Sequence, residues 1–156
     1  MNSPYTRKNL LVLILMAVGC LALGAVSGIT AAAGSGYAGI KLPPLSPPGY
    51  VFPIAWTILY ILMAYSLWTV YVGSADRRYY YMFAAQLALN FVWVPLFFGA
   101  GLRAAALVDL LAIWILVFLL IRRTWADDRI GAYALLPYLA WLTFAGYLTV
   151  GALLLN

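Results

Sequence analysis

Few side chains in this sequence can do chemistry, and those few recur at helical spacings. Gln86, Asn90, Trp93 and Phe97 fall at i, i+4, i+7 and i+11, so two amides and two rings share one helix face. Phe52, Trp56 and Tyr60 fall at i, i+4 and i+8, and Met63 continues their stripe as a wall of large flat groups. Tyr138, Trp141, Ala145 and Thr149 make a third such face at i, i+3, i+7 and i+11. Asp109 is the only acid inside an apolar run. Histidine and glutamate are absent, and Cys20 is the single cysteine. That alphabet excludes a His/Cys/carboxylate metal cluster, a Ser-His-Asp triad, a paired-glutamate hydrolase and an intrachain disulfide. What remains is recognition: flat rings to stack on and a few amides to hydrogen-bond.

Each polar residue has a structural reading beside the functional one. Amides in hydrocarbon need partners, so the Gln86/Asn90 face looks either into a cavity or onto a neighbouring helix. A carboxylate inside a span is expensive and must be protonated or paired, with Asn90 or Gln86 as candidate partners for Asp109. Its readings are a proton-coupled site, a contact to a ligand's polar group, or a helix–helix hydrogen bond. The aromatic stripe from Phe52 is either a pocket wall or a lipid-facing surface.

The elements that carry these residues are membrane spans. Hydrophobic residues make up 67% of the 156-residue chain and charged ones 8%, and the mean hydropathy is +0.99. A soluble domain would carry roughly a quarter charged residues, so the chain is read as one all-α membrane domain over residues 1–156, a five-transmembrane-helix bundle. The apolar runs predict spans at about 10–33, 50–72, 79–98, 104–121 and 131–155. The first follows Arg7 and Lys8 as a signal peptide would. Its length, enough for a hydrocarbon core of about 30 Å, favours an uncleaved span. Within it Gly24 and Gly28 form a G-x-x-x-G pair, a weak sign of a dimer seam.

Residues 34–49 form a long first loop, with Lys41 and the cluster Pro43-Pro44-Leu45-Ser46-Pro47-Pro48-Gly49, too proline-rich for helix and stiff enough to act as a lid. Pro53 fits the first turn of the second span. Pro95 is expected to kink or open the end of the third, and Pro137 to sharpen the start of the fifth. Arg122 to Ile130 reads as the most charged loop. The net charge of +5 is not a nucleic-acid patch, because all nine basic residues sit near the ends of apolar runs. Seven of the nine fall on the side of the N-terminus, against Lys41 and Arg103 opposite. The N-terminus is therefore expected in the cytoplasm, with the C-terminus and the proline-rich loop outside.

Four blocks carry a resemblance: P-P-L-S-P-P-G-Y-V-F-P-I-A-W-T-I-L-Y from Pro43, Q-L-A-L-N-F-V-W-V-P-L-F-F from Gln86, A-L-V-D-L-L from Ala106 and P-Y-L-A-W-L-T-F-A from Pro137. In order and spacing they resemble the TspO/MBR family, the tryptophan-rich sensory proteins and translocator proteins, over nearly the whole chain. The resemblance implies a five-helix bundle, often a homodimer. It also implies a cavity under the first loop that takes porphyrins and drug-like aromatic molecules. Matched motif by motif, the ligand-binding residues would be Tyr50, Phe52, Trp56, Asn90, Trp93, Asp109, Trp141, Phe144 and Ala145, under a lid of Lys41, Pro43, Pro44, Pro47 and Pro48. No cofactor is required, and the candidate ligand is protoporphyrin IX or a related tetrapyrrole.

The departures are specific. Where the family has tryptophans in the first loop, this chain reads Gly36-Tyr37 and Leu45, and Tyr50 stands where Trp is usual, so the mouth is less tryptophan-rich. Leu148-Thr149 replaces the usual Leu-Asn. No Lys or Arg follows Tyr147, so no specific cholesterol site is expected there. Without histidine a haem iron lacks its commonest axial ligand, which favours a metal-free porphyrin. Three functions follow: a receptor or carrier for a tetrapyrrole-like ligand, a light- and oxygen-dependent porphyrin-degrading enzyme, or a structural or regulatory membrane subunit.

Overall fold

The computed structural model describes residues 6–33, 39–73 and 77–156. Five helices of membrane-crossing length carry the chain: α1 (Arg7–Ala33), α2 (Val51–Val72), α3 (Arg77–Val94), α4 (Arg103–Asp127) and α5 (Arg129–Leu155). A π-helical turn over Pro95–Gly99 extends α3. The helices follow one another up and down, each pair joined by a short connection except α1 and α2. Around the bundle α1 packs on α2, α2 on α5, α5 on α4 and α4 on α3, while α1 meets α3 only lightly.

The chain is sorted as a bilayer demands, with the amide side chains of its spans turned inward. Leu11, Ile14 and Leu15 of α1, Ile54, Ile58 and Ile61 of α2, and Val108, Leu111 and Ile115 of α4 are exposed around the outside. Ser66, Gln86 and Asn90 are buried between helices, where another helix supplies their partners, and the buried Thr149 hydroxyl donates to the Ala145 carbonyl of its own helix. The core runs along the axis through Tyr60, Met63, Tyr79, Phe83, Val117, Leu120, Leu135 and Tyr138.

Several local expectations change. Residues 122–130 are not a loop, because α4 continues to Asp127 and only Asp128 leaves the helix, at φ −149° and ψ 103°. Arginines are good helix formers, so a span's helix need not stop where the hydrocarbon does. The Asp128 carboxylate accepts from the Ile130 amide at 3.0 Å and so starts α5. With α5 beginning at Arg129, Pro137 lies inside the helix rather than at its start. Pro95 does open the end of α3: the Ala100 amide donates to the Pro95 carbonyl at 2.8 Å, the i→i+5 bond of a π-turn. Gly24 serves packing within the chain, because a Cβ there would run into the Tyr60 ring of α2. Gly28, by contrast, has open space beside it.

Candidate functional site

The helices do not close completely. Toward the end of the bundle that carries the first loop they enclose a cavity of about 600 Å³. Its ring wall comes from three elements: Phe52, Trp56 and Tyr60 of α2, Trp93 and Phe97 of α3 and its π-turn, and Trp141 of α5. Leu21, Gly24, Ala25 and Gly28 of α1 line one side, and Leu110 and Ile113 of α4 the other. None of its lining residues is charged among the described residues.

The rings hold one another edge to face, tilted or stacked. Trp56 lies 6.5 Å from Trp141 at 79°, 6.1 Å from Tyr138 at 63°, and 5.4 Å from Tyr60. Phe52 meets Trp141 at 5.8 Å and 75°, and Trp93 stacks on Phe97 at 4.8 Å and 13°. Such pairs contribute on the order of 0.5–1.5 kcal/mol each beyond area burial, and they lock the wall before any ligand arrives.

Below the rings lies a polar floor. The Tyr60 hydroxyl donates to Asn90 Oδ1 at 3.4 Å, Asn90 Nδ2 donates to the Tyr138 hydroxyl at 2.9 Å, and that hydroxyl donates to Gln86 Oε1 at 3.0 Å. Gln86 Nε2 ends the chain on Met63 Sδ at 3.9 Å. Tyr60 and Asn90 face the cavity, while Tyr138 and Gln86 are sealed beneath it. An Asn side chain offers two N–H donors and a carbonyl with two lone pairs. Asn90 therefore keeps hydrogen-bonding capacity in hand after both of these contacts.

The first loop straps the end of α5. Asn156 Oδ1 accepts from the Lys41 amide at 3.0 Å and Asn156 Nδ2 donates to the Lys41 carbonyl at 2.9 Å. The Tyr147 hydroxyl donates to the Pro44 carbonyl at 2.7 Å. Pro43 is buried against Gly151, where any Cβ would strike its ring. Leu45 turns the strap at φ 66° and is fully outside it. Lys41, Pro43, Pro44, Pro47 and Pro48 do not line the cavity, although Gly49 does. Gly36 and Tyr37 lie outside the described residues.

Six of the nine residues singled out as ligand contacts meet around the cavity: Phe52, Trp56, Asn90, Trp93, Trp141 and Ala145. The other three do not. Tyr50 sits just before α2 with its side chain exposed. Phe144 faces a shallow depression on the outer surface between α2 and α5. Asp109 is buried on α4 away from the lining, and the partners expected for it are engaged in the Tyr138 network. One of its oxygens has no hydrogen-bond partner among the described residues. Tyr60, Phe97 and Thr149 line the cavity without having been singled out, although each belongs to a helical stripe already visible in the sequence. Leu110 and Ile113 carried no signal, because an apolar residue in an apolar span gives no sign of what it faces.

Five membrane-crossing helices around an internal aromatic chamber define an integral, multi-pass α-helical membrane protein. The chain belongs to the TspO/MBR family, whose sequence model matches residues 11–155. A translocator protein homolog from Schizosaccharomyces pombe is 40% identical over 126 residues, 77% of each chain. The tryptophan-rich protein TspO of Archaeoglobus fulgidus is 36% identical over 152 residues, 95% of this chain and 99% of that one. The Bos taurus translocator protein is 36% identical over 117 residues, 72% of this chain and 69% of its own.

Proposed function

We propose that the cavity binds a flat, largely apolar aromatic molecule of the tetrapyrrole class, in metal-free form, and that the protein senses or carries it. One observation carries the reading: rings from α2, α3 and α5 converge on a chamber of about 600 Å³. That volume lies within the roughly 300–1,000 Å³ of small-molecule sites. A hydrophobic ring system stacks on Trp56, Phe52 and Trp141, and its polar nitrogen or carbonyl atoms turn to Asn90. With no charge among the described lining residues, the ligand's carboxylates stay at the mouth on the side of Lys41. Sensing and translocation are the roles that the relatives' names carry. The distribution of basic residues supports an N-terminus in the cytoplasm and the strap outside. Self-association remains part of the proposal, through exposed helix faces.

The test is quenching of tryptophan fluorescence by protoporphyrin IX, titrated in wild type and in the Trp56→Phe and Trp141→Phe variants. Loss of one indole contact is expected to weaken binding by about 2- to 10-fold. Identical titrations in all three proteins would remove the ligand from this chamber. A second reading is favoured by the unbroken contact of Trp56 with Trp141 and Tyr60. Adjacent oxidisable rings suit light- and oxygen-dependent breakdown of a bound pigment. A distinct product, lost in a tryptophan variant that still binds, separates that enzyme from a receptor.

A further inference from the structure

Three buried polar atoms have no partner among the described residues: Trp93 Nε1, Arg103 Nε and Asp109 Oδ2. Trp93 and Asp109 belong together by register. The connection from α3 to α4 is a tight hairpin, with the Leu102 amide donating to the Leu96 carbonyl at 2.9 Å. In such a hairpin each step back along one helix is matched by a step forward along the other. Phe97 and Ala106 share one buried cluster with Ala152, so one turn further down Trp93 comes level with Asp109 and Leu110. The facing sides agree as well. Trp114 occupies one flank of α4 and donates to Thr143 Oγ1 of α5 at 2.9 Å. The opposite flank, which carries Ala105, Asp109, Ala112 and Leu116, is therefore turned to α3. On α3, Trp93 stacks flat on Phe97 and packs against the cluster that holds Phe97 and Ala106 of α4, which sets its indole on the α4 side.

The Trp93 ring forms the α3 wall of the chamber, but its Nε1 is sealed from the interior. Asp109 is only 9% exposed. A donor and an acceptor left single on facing flanks, both sealed from bulk solvent, are costly, and one trapped water bonded to both removes both deficits. We infer that Asp109 is the positioning residue of this wall. Its carboxyl accepts a hydrogen bond relayed from the Trp93 indole across the α3–α4 seam through one trapped water, and fixes the plane on which a bound ring stacks. The bond itself is a property of the empty protein. Only its effect on affinity rests on the ligand-binding reading above.

The experiment uses the full chain in detergent micelles with ¹⁵N-labelled tryptophan, the Trp93 indole resonance being assigned by its loss in Trp93→Phe. Asp109→Leu should move that resonance, and Asp109→Asn, which keeps a carbonyl acceptor, should hold it near its wild-type position. An unmoved resonance in Asp109→Leu overturns the inference, as does a shift that Asp109→Asn fails to restore. Protoporphyrin IX titrations give the second readout. Asp109→Leu should weaken binding by about tenfold in the wild-type background and have no further effect once Trp93 is Phe. Equal losses in both backgrounds would show that Asp109 does not act through the indole. If Asp109→Leu does not fold, a structure of the unaltered protein decides. A Trp93–Asp109 separation too long for one bridging water refutes the assignment.

Discussion

Tyr138→Phe is the sharpest test of the chamber's floor. The substitution deletes one oxygen and leaves the ring, which is wholly buried and packed on Trp56. That oxygen accepts from Asn90 at 2.9 Å and donates to Gln86 at 3.0 Å, so its loss strands an amide donor and an amide acceptor. In a soluble core, two stranded groups would cost roughly 1–3 kcal/mol each. Helix–helix hydrogen bonds in membranes average nearer 0.6 kcal/mol, with a maximum of about 1.7, because the unfolded reference state in lipid also finds partners. The two limits meet at about 2 kcal/mol for the pair of bonds. For a chain of this size that corresponds to a fall of about 4–8 °C in the apparent Tm. Thermal unfolding in one detergent at one scan rate measures it. The double variant Tyr138→Phe/Gln86→Leu should recover part of the loss, because replacing both partners by apolar groups is far less costly than stranding one. A Tyr138→Phe melt that superimposes on wild type would refute the network as a source of stability. So would a double variant less stable than the single one by another full increment.

Two other perturbations test the chamber's surroundings. Gly24→Ala places a methyl group against the Tyr60 ring and should destabilise by about 1–3 kcal/mol through overpacking between α1 and α2, read as a lower Tm. A neutral result would mean that α1 packs elsewhere. Tyr147→Phe removes the hydroxyl that holds the Pro44 carbonyl at 2.7 Å. Faster hydrogen exchange in residues 39–50, and faster release of protoporphyrin IX with little change in its on-rate, are the expected outcomes. Unchanged exchange would show that the Asn156 clasp on Lys41 suffices alone.

The two polar cores of the sequence were legible at different depths. Gln86 and Asn90, four residues apart in an otherwise apolar run, had to face protein, since hydrocarbon offers an amide no partner. Asp109 was equally visible, yet its surroundings were not, because what it faces depends on the relative rotation of α3 and α4. Tyr50 and Phe144 match family positions. Which way each turns depends on where α2 begins and on which flank of α5 meets α2.

From residue types and their periods alone came the class, the five crossings, the inward amide face and an alphabet without histidine or glutamate. These follow because the bilayer and the alphabet act on each segment separately. Only tertiary packing decided that Trp56, Trp93 and Trp141 share one chamber, that Tyr138 ties Gln86 to Asn90, and that the proline-rich segment is strapped to α5. Those outcomes rest on contacts between segments far apart in the chain. Where almost every residue is apolar, hydrophobicity does not tell an inward side from a lipid-facing one. The fit of rings and glycines between neighbouring helices makes that choice.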